Sequence, residues 1–238
     1  NTWTWKNTMN YSKTVGASTF KLFLVTEAIN YKFNLISGTR ANYVNEDDSN
    51  LLVLNAGTGA QSNTGLFVRN TLFSLFTRFD YSLKDRYIFN ATIRRDGSSK
   101  FSKENKYGYF PSAALGWRIT GEEFMKGISW LSDMKLRASW GIIGNQTGLS
   151  ENNQYSTYQI VDTEGYPVAG SNASYTTSLS PYSVGNQNAK WEKTVTTNIG
   201  VDATLFDGSV TANIDYFLRK TNDLLVQNQA PYTGWGST

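Results

Sequence analysis

Val195-Thr-Thr-Asn-Ile-Gly-Val-Asp-Ala-Thr-Leu205 decides the fold, together with Asp207-Gly208 and the run Val210-Thr-Ala-Asn-Ile-Asp-Tyr-Phe-Leu-Arg219 that follows it. Val195, Ile199, Val201, Ala203 and Leu205 share one face of an extended chain, and Thr196, Asn198, Gly200, Asp202 and Thr204 share the other. A period of two is the period of a β-strand. Asp-Gly between two such runs is a strong hairpin signal. Beyond it, Val210, Ala212, Ile214, Tyr216 and Leu218 resume the apolar face, opposed by Thr211, Asn213, Asp215, Phe217 and Arg219.

The same alternation recurs upstream. It places apolar faces at Phe73, Leu75, Phe79 and Tyr81; at Tyr87, Phe89, Ala91 and Ile93; at Ala113, Leu115, Trp117 and Ile119; and at Leu136, Ala138, Trp140 and Ile142. Weaker versions are Trp3, Trp5, Met9 and Tyr11, and Phe20, Leu22 and Leu24. These runs predict about eight antiparallel strands, many of them longer than the roughly 5–6 residues of ordinary globular strands and close to the ~9–11 of a tilted membrane strand.

The connections are unequal. Short turns are expected near Val15-Gly16-Ala17-Ser18, at Lys84-Asp85 and at Asp207-Gly208, with a longer link over Thr120–Asp133 whose Gly-Glu-Glu-Phe-Met-Lys fits one helical turn. Long loops are expected over residues 37–65, 96–108 and 144–190. Short turns at one end and long loops at the other fit an up-and-down outer-membrane β-barrel. Alternation alone also fits a soluble sheet with one wet face; strand length and loop asymmetry favour the membrane segment.

Composition narrows the chemistry. The 238 residues carry a net charge of +3, no Cys and no His. Disulfide scaffolds, zinc-thiolate sites, cysteine nucleophiles and the usual serine triad are thereby excluded. Charged residues are only 17% and aromatics 14%, a balance that suits polar loops and sheet surfaces and gives no nucleic-acid signature. No apolar run is long enough for a membrane helix. The chain opens within a strand pattern and ends in a polar stretch, so it is expected to be a piece of a larger protein or a mature chain trimmed at both ends.

Several motifs point to binding rather than catalysis. Gly57-Thr-Gly-Ala starts like a nucleotide loop but lacks the rest of that fingerprint. Glu46-Asp-Asp48 could take a calcium ion, though such a run is more often a solvated loop tip. Arg94 opens a basic stretch reaching Lys106, in which Asp96-Gly97 could make the turn. Tyr155, Tyr158, Tyr166, Tyr175, Tyr182 and Trp191 stud the longest loop among Asn and Gln. Aromatic faces with amides suit sugar rings or peptide, although the rings could equally pack the loop against itself. Lys135 and Arg137, on the polar face of their strand, are further candidate contacts for substrate or partner. Asp202 and Asp215 are expected to share a facing on neighbouring strands, as part of a polar ladder.

Arg86-Tyr-Ile-Phe-Asn-Ala-Thr-Ile-Arg-Arg-Asp-Gly-Ser-Ser-Lys-Phe101, Tyr109-Phe-Pro-Ser-Ala-Ala-Leu-Gly-Trp-Arg-Ile119 and Trp130-Leu-Ser-Asp-Met-Lys-Leu-Arg-Ala-Ser-Trp-Gly-Ile-Ile-Gly-Asn-Gln146 closely resemble the SusC/RagA family. These are TonB-linked outer-membrane transporters of Bacteroidetes. Asn188-Ala-Lys-Trp-Glu-Lys193 and Tyr216-Phe-Leu-Arg-Lys-Thr-Asn-Asp-Leu-Leu225 resemble its later strands.

The resemblance implies an all-β fold in which residues 1–238 are part of one receptor barrel domain, about eight strands of a 22-strand type. The plug and the remaining strands would lie outside this chain. It further implies a SusD-like surface lipoprotein as lid, TonB engaged through an N-terminal region, outer-membrane lipid around the strands, and oligosaccharide or peptide as cargo. No cofactor and no covalent chemistry are expected. The alternatives are a barrel of this family within a secretion or surface assembly, and a small stand-alone sugar-binding β protein.

Overall fold

The computed structural model describes residues 1–44, 47, 49, 52–161 and 178–226. Ten strands are found among them: β1 (Thr2–Val15), β2 (Ser18–Thr39), β3 (Ser62–Leu83), β4 (Tyr87–Ser98), β5 (Tyr107–Arg118), β6 (Leu131–Asn145), β7 (Thr157–Val161), β8 (Ser178–Ser183), β9 (Glu192–Leu205) and β10 (Val210–Asn222). Eight of them form one sheet in the order β1-β2-β3-β4-β5-β6-β9-β10. Each neighbour pairs antiparallel with the next, so the path is up and down. β7 and β8 make a separate hairpin inside the longest loop, which the alternation did not foretell.

Short turns are made where expected. Gly16 takes φ +59° between Val15 and Ser18, a conformation that glycine adopts without steric cost. Lys84 and Asp85 both sit at positive φ between Leu83 and Tyr87, matching the mirror-image turns that suit the twist of paired strands. Phe206-Asp-Gly-Ser209 joins the paired Leu205 and Val210. The Thr120–Asp133 link carries two short 3-10 turns, Ile119–Gly121 and Glu123–Met125.

Three loop expectations need correction. β2 and β3 pair as far as Thr39↔Ser62, so the first loop spans 40–61 rather than 37–65. Asp96 and Gly97 make no turn; they pair with Gly108 and Tyr107 inside the β4–β5 ladder, and the loop is confined to 99–106. β6 runs on to Asn145 before the longest loop begins. In each case backbone pairing carries a polar hairpin beyond the point where its apolar alternation fades. The Gly57 region packs back on the chain: Arg40 Nε donates to Gly57 O at 2.7 Å, and a Cβ on Gly57 would collide with the Arg40 side chain. Gly57 thus allows a close approach of the two segments. Of the acidic run, Glu46 and Asp48 lie outside the described residues.

Register sorts the two faces. Tyr81, Phe89, Leu115, Ala138, Ile199 and Tyr216 are cross-strand neighbours in one row, and Lys21, Asp80, Asn90, Ala114, Ser139 and Asn198 form a row on the opposite face. The apolar row covers no protein core. Leu115 is 61% exposed and Ile199 60% exposed. Among the described residues the buried hydrophobics are Phe101, Phe110, Ala189 and Trp191, all at the long-loop end. A contiguous apolar face of this extent is far larger than a soluble monomer leaves in water. With its backbone groups paired within the sheet, it is compatible with hydrocarbon.

β4 and β5, at 12 residues each, match a membrane crossing, whereas β2 and β3 have 22 residues each. Their outward apolar row stops at the paired Ala28 and Phe73; beyond it the same face carries Asn30, Lys32, Thr71 and Arg69. There the alternation inverts, and Phe33↔Val68 and Leu35↔Leu66 put apolar groups on the other side. The hairpin therefore projects past the apolar band, in a setting where the outward face is polar. β1 and β10 end the sheet order and do not pair with each other, so these strands form an open segment and not a closed small barrel.

Candidate functional site

Two arrangements on the polar side can meet a ligand or partner. The first is a packed cluster at the long-loop end. Phe101 stacks on Trp191 at 4.7 Å between centroids, and Phe110 meets the same indole edge-on at 5.4 Å. Trp191 Nε1 donates to Lys106 O at 3.2 Å, Ser102 Oγ to Gln187 O at 2.7 Å, and Lys100 Nζ to Leu149 O at 2.7 Å. Gln154 Nε2 donates to Ser99 O at 3.1 Å. These bonds fasten the 99–106 loop to both flanks of the longest loop.

Glycine makes this packing possible. A Cβ on Gly108 or Gly144 would collide with the Phe110 ring. The β5–β6 ladder stops at Ser112↔Gly141, and Phe110, two residues beyond, extends across to Gly144.

Beneath the cluster lies a cavity of about 400 Å³, lined by Leu72, Phe76, Phe110 and Trp191, by the Arg94 and Asp96 side chains, and by Asn145, Gln146 and Thr147. Arg94 Nε donates to Asp96 Oδ1 at 2.8 Å, and Arg94 Nη2 reaches Ser74 Oγ at 3.4 Å. The ion pair leaves the cavity without net charge. Gln146 Oε1 is buried and accepts no hydrogen bond among the described residues. A buried acceptor without a donor is costly, so a ligand N–H or O–H that displaced its cover and reached it would gain more than in water.

The second arrangement lies further down the polar face. Arg137 grips Asp202 with two bonds, Nε to Oδ2 at 2.8 Å and Nη2 to Oδ1 at 2.7 Å, and Nη2 also reaches Asp215 Oδ2 at 3.2 Å. Lys135 Nζ stands 4.0 Å from Asp202 Oδ2. Asp202 and Asp215 do share a facing, and the guanidinium between them engages both carboxylates in an ion-pair ladder.

The expected contact residues separate into groups. Arg94 belongs to β4, not to a loop, and lines the cavity. Lys135 and Arg137 sit in β6 within the ion-pair ladder. Tyr155, Tyr158 and Tyr182 are exposed, at 59%, 63% and 72%, the last two on the β7–β8 hairpin. Tyr155 also lines a shallow hollow of about 600 Å³ with Asn186 and Asn188. Tyr166 and Tyr175 lie outside the described residues. Trp191 follows the packing alternative: it is 5% exposed, its ring engaged by Phe101 and Phe110, and it holds the loops together. Sequence reasoning passed over Phe110, Phe101 and Gln146. The signal available was Gly108-Tyr-Phe110, where a glycine two residues before an aromatic on a strand puts a bare backbone beside a ring on the same face.

At the short-turn end, Glu122 is held by three donors: Tyr87 Oη at 2.6 Å, Trp117 Nε1 at 3.1 Å and Arg86 Nη1 at 3.4 Å. The hydrogen bond from Tyr87, then that from Trp117, draws its carboxyl below the ordinary range, with Arg86 and Lys84 adding to the effect and partial desolvation opposing it.

Residues 1–236 match the family described as TonB dependent receptor-like, beta-barrel. The chain is 44% identical over 171 residues to the TonB-dependent receptor SusC of Bacteroides thetaiotaomicron, covering 72% of this chain and 17% of that protein. It is 38% identical over 167 residues to TonB-dependent receptor P3 of Formosa agariphila, covering 70% of this chain and 16% of that one. In fold it is similar to a chain in the structure of the RagAB peptide transporter, with TM-score 0.84, 24% identity, and coverage of 97% of this chain and 25% of that one. The siderophore receptor PirA from Acinetobacter baumannii is more distant, at TM-score 0.53 and 15% identity, with 94% and 27% coverage. The chain thus spans 17% of the length of the SusC relative and 25% of the RagAB chain.

Proposed function

The chain belongs to the TonB-dependent receptor β-barrel family, within its SusC/RagA group, and on that premise we propose that it forms part of the wall of an outer-membrane importer of glycans or peptides. The observation that carries this reading is the sorting of faces: Leu115, Ile199 and Tyr216 lie exposed on one side, and Arg137, Asp202 and Asn198 lie on the other, with no protein packed beneath the apolar side among the described residues. Lipid on the outside and a hydrated lumen on the inside satisfy both faces at once.

On this reading the short turns at Gly16, Lys84-Asp85 and Asp207-Gly208 are periplasmic, and the 99–106 and 146–191 loops are extracellular. Cargo meets Tyr155, Tyr158 and Tyr182 first, then the cavity at Arg94 and Gln146. Arg137 and Lys135 hold the wall polar further along the passage. The work is binding and gated passage without covalent chemistry. A plug supplied by the rest of the protein, a SusD-like lipoprotein as lid and TonB as energy source complete the machine; SusC and the RagAB transporter are the relatives that support these partners.

The test is uptake by cells expressing the full-length protein. Import of labelled oligosaccharide or peptide is expected to require the protein and TonB together. Normal import in a deletion strain, with loss of a surface or secreted protein instead, would favour the assembly role and overturn the importer.

A further inference from the structure

On the apolar face, Ala138 occupies a low point in the relief. Its cross-strand neighbours are Leu115 and Ile199, and Leu136 and Trp140 flank it two residues away on its own strand. A methyl group among four large side chains leaves a hollow, and a depression of about 690 Å³ is found there, bounded by Phe89, Leu115, Trp117, Leu136 and Ile199. Protein surfaces that pack leave few such voids, because the lining atoms lose dispersion contacts unless something fills them.

The polar atoms on the rim are committed elsewhere. Tyr87 Oη and Trp117 Nε1 both donate to Glu122, and Tyr81 Oη is hydrogen-bonded to Ser18 Oγ at 3.3 Å. A hydroxyl-rich or peptide ligand would find no partners in the hollow, whereas a hydrocarbon chain needs none.

Charge beyond the rim indicates what the chain is attached to. Lys84 and Arg86 lie at the adjacent turn and both act on the Glu122 carboxyl. Asp85 faces away, lining a depression on the polar side with Lys21 and Arg78. Glu123, the other carboxylate that feels Arg86, is paired with Lys126 Nζ at 2.7 Å, so Lys84, Arg86 and Lys126 against Glu122 and Glu123 leave one net positive charge where the aromatic rims give way to the turn.

The geometry points to a phospholipid site: an acyl chain lies in the hollow over Ala138, and its phosphate sits against Lys84 and Arg86. This rests on the reading that the apolar face meets lipid and the short turns are periplasmic, which places phospholipid rather than lipopolysaccharide at this end.

The test is native mass spectrometry of the full-length protein released from detergent after incubation with phosphatidylglycerol, phosphatidylethanolamine or lipid A. The wild type should retain a phospholipid, phosphatidylglycerol in preference. Ala138→Trp, which fills the hollow, should lower retention about tenfold. Ala138→Met is a milder filling should the indole hinder assembly. Lys84→Asn keeps a residue tolerant of positive φ and should remove the preference for the anionic headgroup while the acyl chain still binds. Equal retention by the Ala138 variants, or retention of lipid A alone, overturns the site. Lipid retention is read on purified protein, so a failure of import leaves this outcome legible, and the reverse also holds.

Discussion

Arg137 reaches Asp215 across Gly200. The three residues lie in one row of the β6–β9–β10 sheet, with Arg137 opposite Gly200 and Gly200 opposite Asp215. The glycine is what lets a guanidinium bound to Asp202 also extend two strands over, because a Cβ there would collide with Asp215 Oδ1 and press on Arg137 Nη2 at 3.0 Å. Gly200→Val should therefore break the Arg137–Asp215 contact and overpack the row, costing about 1–3 kcal/mol. Arg137→Lys should weaken the same ladder through loss of the two-pronged grip while keeping its charge. Heat-modifiable migration of the full-length barrel on unboiled gels reports both: the unfolding temperature falls for each variant, and an unchanged value for Gly200→Val would show that the ladder carries no stability.

Trp191 and the exposed tyrosines should respond in opposite ways to truncation. Trp191→Ala removes an indole packed on Phe101 and Phe110 and leaves a hole beneath the loops, a change of about 3–5 kcal/mol for core aromatics. The 99–106 and 146–191 loops should then become open to limited proteolysis. Tyr155→Ala, Tyr158→Ala and Tyr182→Ala touch exposed rings, so stability should hold while cargo affinity falls. Proteolysis and binding measured on the same preparations separate the two effects. Equal protease sensitivity in all four variants would deny Trp191 its role as the fastening.

How far the sequence was legible follows from which interactions are periodic. Val195–Leu205 and Val210–Leu218 announced their strands because one face of each meets apolar surroundings along its whole length, and the Asp207-Gly208 turn is a local matter. The last residues of β2, Ser37–Thr39, and the first of β3, Ser62–Gly65, look like loop in the sequence, because the alternation inverts past Ala28 and Phe73, where the apolar surroundings end. Backbone pairing continues regardless of side-chain polarity, and no residue pattern marks its end. The cavity was less visible still. Arg94 could be picked out by its charge, but Phe110, Trp191 and Gln146 meet only through contacts between loops far apart in the chain. For Trp191 the choice between ligand platform and loop packing stays open in the sequence, because composition shows that an aromatic is present without showing what covers it.

Gln146 should matter to cargo out of proportion to its size. Its buried Oε1 lacks a donor among the described residues, and the residue is part of the lining of the cavity that holds the Arg94–Asp96 pair. Gln146→Met keeps the volume and removes the acceptor. If cargo supplies the missing donor, affinity should drop by the equivalent of about 1–3 kcal/mol. If cargo does not reach the cavity, the variant should instead be neutral or slightly stabilising, since a costly orphan has been removed. Titration calorimetry with imported cargo, together with the unfolding temperature, separates these outcomes.

Acid should loosen the short-turn end through Glu122. The folded carboxyl titrates below its ordinary value because Tyr87, Trp117 and Arg86 favour the charged form. A group depressed on folding contributes stability that is fully present above the unfolded value of about 4.3, and that contribution is lost as pH falls through the folded value. Lowering pH from 7 to below 4 should therefore cost the wild type more than Glu122→Gln, whose amide does not titrate. The two unfolding temperatures should converge at the acid end, with the variant the less stable at pH 7. Parallel curves for the two proteins would show that the Glu122 anchor adds nothing to the stability of the turn.

The two faces of β9 offer the most direct check on which side meets lipid. Ile199 and Thr196 sit three residues apart on opposite faces of one strand, Ile199 beside Ala138 and Tyr216, Thr196 beside Gly141 and Arg219. Arginine at a lipid-exposed position near the middle of a barrel costs about 2–4 kcal/mol, while a lumen position accepts it readily. Ile199→Arg should therefore impair assembly of the full-length protein into the outer membrane, and Thr196→Arg should leave the amount of folded barrel close to wild type. The contrast is expected despite the ordinary ranking, in which an isoleucine 60% exposed would be thought tolerant of a charge. In water that ranking holds; in hydrocarbon an exposed position is where an unpaired guanidinium is least well accommodated. Folded protein recovered from outer-membrane fractions measures it, and tolerance of Ile199→Arg with loss of Thr196→Arg would turn the barrel wall inside out.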